Sequence, residues 1–86
     1  ERVARAAEKK RPREAIALYE SLVRDSVDRR DRKGYAQAAH LLQKMRVVFE
    51  LAGRKEDWPG YLAAFSADHG RLRALQEELK RAGLLP

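Results

Sequence analysis

Residues 55–79 read KEDWPGYLAAFSADHGRLRALQEEL and hold the only tryptophan of the chain, a proline directly after it, and apolar residues threaded through charges. Trp58, Tyr61, Leu62 and Phe65 fall on one helical face, and Pro59 sits where a first helical turn tolerates a missing N–H. Trp58, Phe65, Leu72 and Leu79 are each seven residues apart, with Leu75 in the same phase. Because an intervening loop would give the two halves no reason to stay in register, this spacing predicts one long helix over residues 56–82. Gly70 is then an interior glycine, at a cost of about 1 kcal/mol relative to alanine. The rival reading breaks the helix at His69–Gly70 and folds the halves into an antiparallel hairpin. Asp57 or a residue just before it is the expected cap. Gly83 is the expected stop, with Leu84 and Leu85 folding back or docking elsewhere.

Working towards the N-terminus, Tyr35, Ala38, Leu42, Met45, Phe49 and Ala52 step alternately by three and four, with Leu41 and Val48 widening the stripe. Gly53 stands where a left-handed C-terminal cap is preferred. Asp31, in the charged connection DRRDRKG (28–34), is the expected N-cap. A preceding helix runs through PREAIALYESLVRDSV (12–27), with Ile16, Tyr19, Val23 and Val27 on one side and Ala15, Leu18 and Leu22 beside them. A short first helix is expected over residues 2–10, with Val3, Ala6 and Ala7 on one side. No stretch alternates long enough to predict a strand.

The reading is an all-α domain of four or five helices in a right-handed repeat-like stack with a long C-terminal helix. Residues 1–30 form a first helix pair, and residues 31–86 a second pair with an extension. Its expected core is Tyr19, Leu22, Tyr35, Ala38, Leu42, Met45, Phe49, Trp58, Leu62, Phe65, Leu72 and Leu79, each large side chain stabilising by about 1.5–3 kcal/mol if fully buried. At 86 residues the chain makes one small domain. A domain of this size buries about 65% of its unfolded surface, enough for a thin core rather than a deep reaction chamber. It opens on Glu1, which suggests a piece of a longer polypeptide. With no cysteine it has neither disulfides nor thiolate metal ligands, in keeping with a reducing, cytoplasmic setting. No apolar run approaches the roughly 20 residues that span a bilayer.

Net charge is +6 and the isoelectric point about 10.1. Acids precede bases by four residues at Glu20–Arg24, Asp25–Arg29, Asp28–Arg32, Glu50–Arg54 and Glu77–Arg81, so much of the charge is expected to solvate helix faces. Two basic clusters remain: Lys9, Lys10, Arg11 and Arg13, and Arg29, Arg30, Arg32 and Lys33. Both flank helix connections and are the candidate contacts for an anionic partner. The plainer reading is a solvated rim that complements helix C-termini.

Chemistry is otherwise sparse. Trp58, Tyr61 and Phe65 could line an aromatic pocket, but one-face spacing favours packing. His40 and His69 lack any partner at metal-ligating spacing, so no metal and no cofactor is expected. Ser66, Asp68 and His69 supply the letters of a hydrolytic triad, yet on one helix such side chains diverge. The pairs Glu56–Asp57 and Glu77–Glu78 fall on polar positions near helix ends. An enzyme is not expected.

Residues 13–23, REAIALYESLV, resemble the second helix of a tetratricopeptide-type repeat, and residues 35–53, YAQAAHLLQKMRVVFELAG, the first helix of the next unit, with Ala38 and Ala39 at close-packing positions. The early Trp, Leu-Gly and Tyr of that signature are absent. From Tyr35 through AGRKEDWPGYLAAFSADHGRLRALQEELKRAGL (52–84), the chain resembles the C-terminal helical region of large bacterial proteins that carry a SWIM-type zinc finger elsewhere. That resemblance implies a helical tail of unassigned activity, and no zinc ligand carries over. The expected role is a non-catalytic protein-interaction or scaffold domain. Its partners would be a protein, neighbouring repeats of the parent chain, or a second copy in a homodimer. The alternative is a nucleic-acid-binding module that contacts backbone phosphates through the basic clusters.

Overall fold

The computed structural model describes residues 12–85, so the helix expected over residues 2–10 lies outside the described residues. Four α-helices follow in order: α1 (Pro12–Asp28), α2 (Arg32–Leu51), α3 (Trp58–Asp68) and α4 (Arg73–Arg81), with a 3-10 turn at Lys55–Asp57 before α3. Among the described residues there is no strand.

The α1–α2 connection is three residues long, which makes the two helices an antiparallel pair. Arg30 takes a left-handed φ of 56° in this turn, and its N–H reaches the Val27 carbonyl at 3.0 Å. Asp31 caps α2 through a 2.6 Å hydrogen bond from the Gly34 N–H to its carboxylate. Gly34 is buried directly against the last turns of α1, and a Cβ there would be driven into the Ser26 carbonyl oxygen. The close approach of the two helices therefore depends on this glycine having no side chain. Ser26 is itself buried and returns its hydroxyl to the Leu22 carbonyl at 2.9 Å.

Both expected glycine stops form. Gly53 (φ 72°) and Gly83 (φ 78°) follow α2 and α4, and the next residues, Arg54 and Leu84, donate to Phe49 and Leu79 carbonyls at 2.8 and 3.0 Å. This is the paired hydrogen-bond pattern of a left-handed C-terminal cap. Leu84 and Leu85 then fold back, half-buried, onto the core.

The single helix expected over residues 56–82 is not formed. α3 ends at Asp68, and Leu72 leaves the helical region with φ −91° and ψ 84° before α4 begins. Length explains part of the break. At 1.5 Å per residue α2 runs about 30 Å, whereas a continuous helix over 56–82 would run about 40 Å. α3 starts beside the C-terminal end of α2, where Trp58 and Tyr61 pack on Phe49, and its last residues reach Arg30 at the opposite end. A straight continuation would carry Leu75 and Leu79 past the hairpin into water. Turning at residues 69–72 returns them to α2, where both are fully buried. The turn is held by the Gln76 side chain. Its amide nitrogen donates to the Ser66 and His69 carbonyls at 3.3 and 3.1 Å, and its oxygen accepts from the Ser66 hydroxyl at 2.9 Å.

One hydrophobic cluster joins all four helices, running from Ala15, Ile16, Tyr19, Val23 and Val27 through the buried face of α2 to Trp58, Leu62, Leu75 and Leu79. Tyr19, Tyr35, Ala38, Leu42, Met45, Phe49, Trp58, Leu62 and Leu79 are buried, whereas Leu22, Phe65 and Leu72 are half-buried at the edge of the cluster.

Gly34→Ala is expected to cost about 1–3 kcal/mol, because the methyl group has no room between α1 and α2. Gly60→Ala, where nothing outside the helix's own local backbone lies within 4 Å of the added carbon, is expected to leave stability unchanged or raised. Urea denaturation of the two variants checks the contrast.

Candidate functional site

α3 lies against α1 along a groove. One part, of about 340 Å³, is lined by Glu20, Val23, Arg24, Tyr61, Phe65, Asp68 and His69. A second part, of about 410 Å³, is lined by Arg30, the α3–α4 turn and Leu72. Asp68 and His69 border both, so the two parts lie next to each other on this side of the molecule. The groove floor is half apolar: Tyr61 and Phe65 are half-buried, and the His69 ring lies 4.4 Å from that of Phe65. His69 Nδ1 is 2.9 Å from the Phe65 carbonyl oxygen, which fixes the ring across the groove.

Tyr61 is the most perturbed group. Burial pushes its phenol up to about 12, helped by the negative charge of Glu20 and a hydrogen bond to that carboxylate, with Arg24 opposing. The phenol therefore stays protonated beside Glu20 of α1.

The candidate aromatic pocket separates into two roles. Trp58 is buried against Phe49, their rings 5.3 Å apart and edge to face, and it stacks on Tyr61 at 5.7 Å. Arg54 lies over the Phe49 ring at 5.0 Å and ion-pairs with Asp57 at 3.1 Å. Asp57 precedes α3 without a side-chain capping bond. Only Tyr61 and Phe65 of the three aromatic residues border the groove.

The basic clusters are likewise divided. Lys9, Lys10 and Arg11 lie outside the described residues, and Arg13 is exposed. In the second cluster Arg29 pairs with Asp31 at 3.6 Å. Arg32 reaches across to α4, to Glu77 at 3.1 Å and Glu78 at 3.5 Å. Arg30 and Lys33 are exposed. Arg71, from the α3–α4 turn, joins Arg30 at the end of the groove, a neighbour 41 positions away in sequence that no local pattern reveals.

Glu78 is not on a polar face as expected. Its side chain is 7% exposed and sits between Arg32 and Arg81, the latter at 3.4 Å. A buried carboxylate needs such partners. Arg32, from α2, with the Gln43 amide donating to the Ala82 carbonyl at 2.6 Å, fastens α4 to α2, while Arg81 pairs with Glu78 within α4. Ser66 and His69 are engaged with Gln76 and the Phe65 carbonyl, an arrangement unlike a hydrolytic triad. Among the described residues no group of three or more His, Cys, Asp or Glu could hold a metal ion, and no helix is long and apolar enough to cross a membrane. On the outer side of α2, Val47 and Leu51, one turn apart, are 48% and 60% exposed.

The uncharacterized protein YwqB of Bacillus subtilis (strain 168) is similar to this chain, 35% identical over 74 residues. The similarity covers 86% of this chain, which spans only 14% of that relative's length. No family model and no solved structure matches.

Tyr61 titration gives a pH signature. A phenol whose folded pKa lies above its ordinary value of 10.0 contributes stability that is complete below pH 10 and is lost as pH rises towards 12. The stability advantage of the native chain over Tyr61→Phe is therefore expected to shrink between pH 10 and 12 and to be constant from pH 7 to 9. Urea melts across that range check it. A difference that stays flat to pH 12 would mean the phenol is not protected.

Proposed function

We propose that this chain is a non-catalytic, cytoplasmic helical scaffold domain that holds a protein partner, either a neighbouring segment of its parent polypeptide or a separate protein, in the groove between α1 and α3. The groove carries the reading. It combines half-buried aromatic surface from Tyr61 and Phe65 with exposed charge from Arg24, Arg30, Asp68 and Arg71, the mixture of apolar floor and polar rim that protein interfaces use. The helices are read as a tetratricopeptide-like right-handed stack, in which paired helices bury one face among themselves and offer another to partners. Similarity to a much longer bacterial protein supports placing the chain within a large polypeptide. The resemblance to SWIM-type zinc-finger proteins adds that the metal-binding part would be elsewhere in it.

A photo-crosslinking amino acid placed at Arg24 or Asp68, on the rim, is expected to give a discrete protein adduct in Bacillus subtilis extract. Excess unlabelled chain should compete it away, and Arg71→Glu should weaken it at least tenfold. The same probe at Lys80, outside the groove, is expected to give none. Equal labelling from Lys80, or no adduct from either rim position, would remove the groove from consideration.

The exposed Arg30, Lys33 and Arg71 favour a second reading, contact with nucleic-acid phosphates. Each phosphate contact contributes a slope of about 0.9 to the dependence of log affinity on log salt for duplex DNA. Titration with duplex and single-stranded DNA and RNA at two salt concentrations is then expected to show affinity that falls with salt. Arg30→Glu/Lys33→Glu/Arg71→Glu should abolish it. No binding at low salt ends that reading.

A further inference from the structure

The junction between α3 and α4 holds two geometries within reach of one sequence. Trp58, Phe65, Leu72 and Leu79 keep a seven-residue register straight across a backbone break. α4 starts without a side-chain cap, and the carbonyls of residues 69–71 are those a continuous helix would offer to the N–H groups of residues 73–75. Gly70 has no positive φ, and a methyl group there would meet the Ala67 and Ser66 carbonyls at an ordinary 3.5 and 3.9 Å. The turn thus makes no steric demand for glycine. It is held by the Gln76 bonds to Ser66 and His69. The seat of α4 on α2 is built from Leu75 and Leu79 in the core, the Arg32 pairs with Glu77 and Glu78, and the Gln43 bond to Ala82. None of these contacts requires α4 to come from the same chain.

We propose that this junction opens into a continuous helix and delivers α4 to the α2 of a second copy, so that the chain dimerises by reciprocal exchange of α4. The occupant is a second copy because it alone presents the Arg32 and Gln43 arrangement that α4 already fits. Exchange keeps every α2–α4 contact. It gives up the Gln76 bonds and the 3.0 Å turn bond from the Leu72 N–H to the His69 carbonyl, and gains helical hydrogen bonds across residues 69–75. Straightening residues 69–72 would remodel the end of the groove where Arg71 meets Arg30, and would leave the stretch lined by Glu20, Val23, Tyr61 and Phe65 in place, so the exchange does not require the groove to hold a partner.

Two substitutions push the junction in opposite directions. Gly70→Ala favours the continuous helix. Arg73→Pro sits at the first position of α4, where proline is tolerated and where the preceding Leu72 already has non-helical backbone, but it would break a continuous helix. Sedimentation equilibrium of the full 86-residue chain, from micromolar to millimolar, is expected to show Gly70→Ala raising the dimerisation constant at least tenfold and Arg73→Pro lowering it at least tenfold.

Exchange itself is read with cysteines, of which the chain has none. Ala36 and Ala82 line one depression between α2 and α4, and Ala36→Cys with Ala82→Cys leaves both arginine partners of Glu78 in place. Bridged by a short bismaleimide, they should link within one chain in the monomer and between chains in the Gly70→Ala dimer, which then migrates as a covalent dimer on a denaturing gel. A Gly70→Ala chain that stays monomeric at millimolar concentration, or a dimer with only intrachain links, overturns the proposal. Undiminished dimerisation of Arg73→Pro does the same. If Arg73→Pro does not fold, the linkage pattern of Gly70→Ala decides alone.

Discussion

Burial of α2 is the constraint on which this structure rests. Gly34, Tyr35, Ala38, Ala39, Leu41, Leu42, Met45, Val48 and Phe49 are all buried, and they occupy more of the helix circumference than one neighbour can cover. At about 1.5–3 kcal/mol for each large side chain, leaving either flank wet would cost more than a small domain has to spare. α1 covers one flank, α3 covers the C-terminal end through the Phe49–Trp58 contact, and α4 covers the rest through Leu75 and Leu79. The bend between α3 and α4 is a consequence of that demand. Two short helices can reach two places on α2, and one straight helix cannot.

Features set by local chemistry were legible in the sequence. The extents of α1 and α2 follow from apolar spacing. Asp31 caps because a carboxylate three residues before a free N–H is a local device. Gly53 and Gly83 end helices because only glycine takes a left-handed backbone without a steric cost. Features that depend on residues distant in sequence were not legible. Gln76 bonds residues ten and seven positions back, across a turn that its own sequence does not announce. Gly34 reads as a loop residue in DRRDRKG, yet it is a contact point between two helices. The seven-residue register misled because it reports which side chains face α2, and both halves face α2 whether or not the backbone between them is helical.

The same distinction governs charge. Residues 29–33 form a dense cationic patch in sequence, but the fold draws Arg29 to Asp31 and Arg32 to the acids of α4, and brings Arg71 to Arg30 in their place. The surface a partner would meet is therefore built from residues 30 and 71 rather than from a run of neighbours. Glu78 shows the converse. It stands next to Glu77 in an apparently polar pair, yet it becomes a buried anchor because two arginines, one of them 46 positions away, converge on it. Substituting Arg32 would unsettle the α2–α4 seat as well as the charge, so a loss of binding at that position alone says little about a ligand.

The junction at residues 69–72 follows from how that seat is built. The contacts that fasten α4 lie almost wholly between α4 and α2, while what joins α4 to α3 is a few hydrogen bonds from one glutamine. Each such bond contributes about 0.5–1.5 kcal/mol net, and an interior glycine penalises the helical alternative by about 1 kcal/mol. These terms oppose each other and are of similar size, whereas the burial of Leu75 and Leu79 is common to both connections and does not choose between them. The core of this domain is thus fixed by α2, while the path by which the last helix arrives there is set by a balance that one residue at the turn can tip.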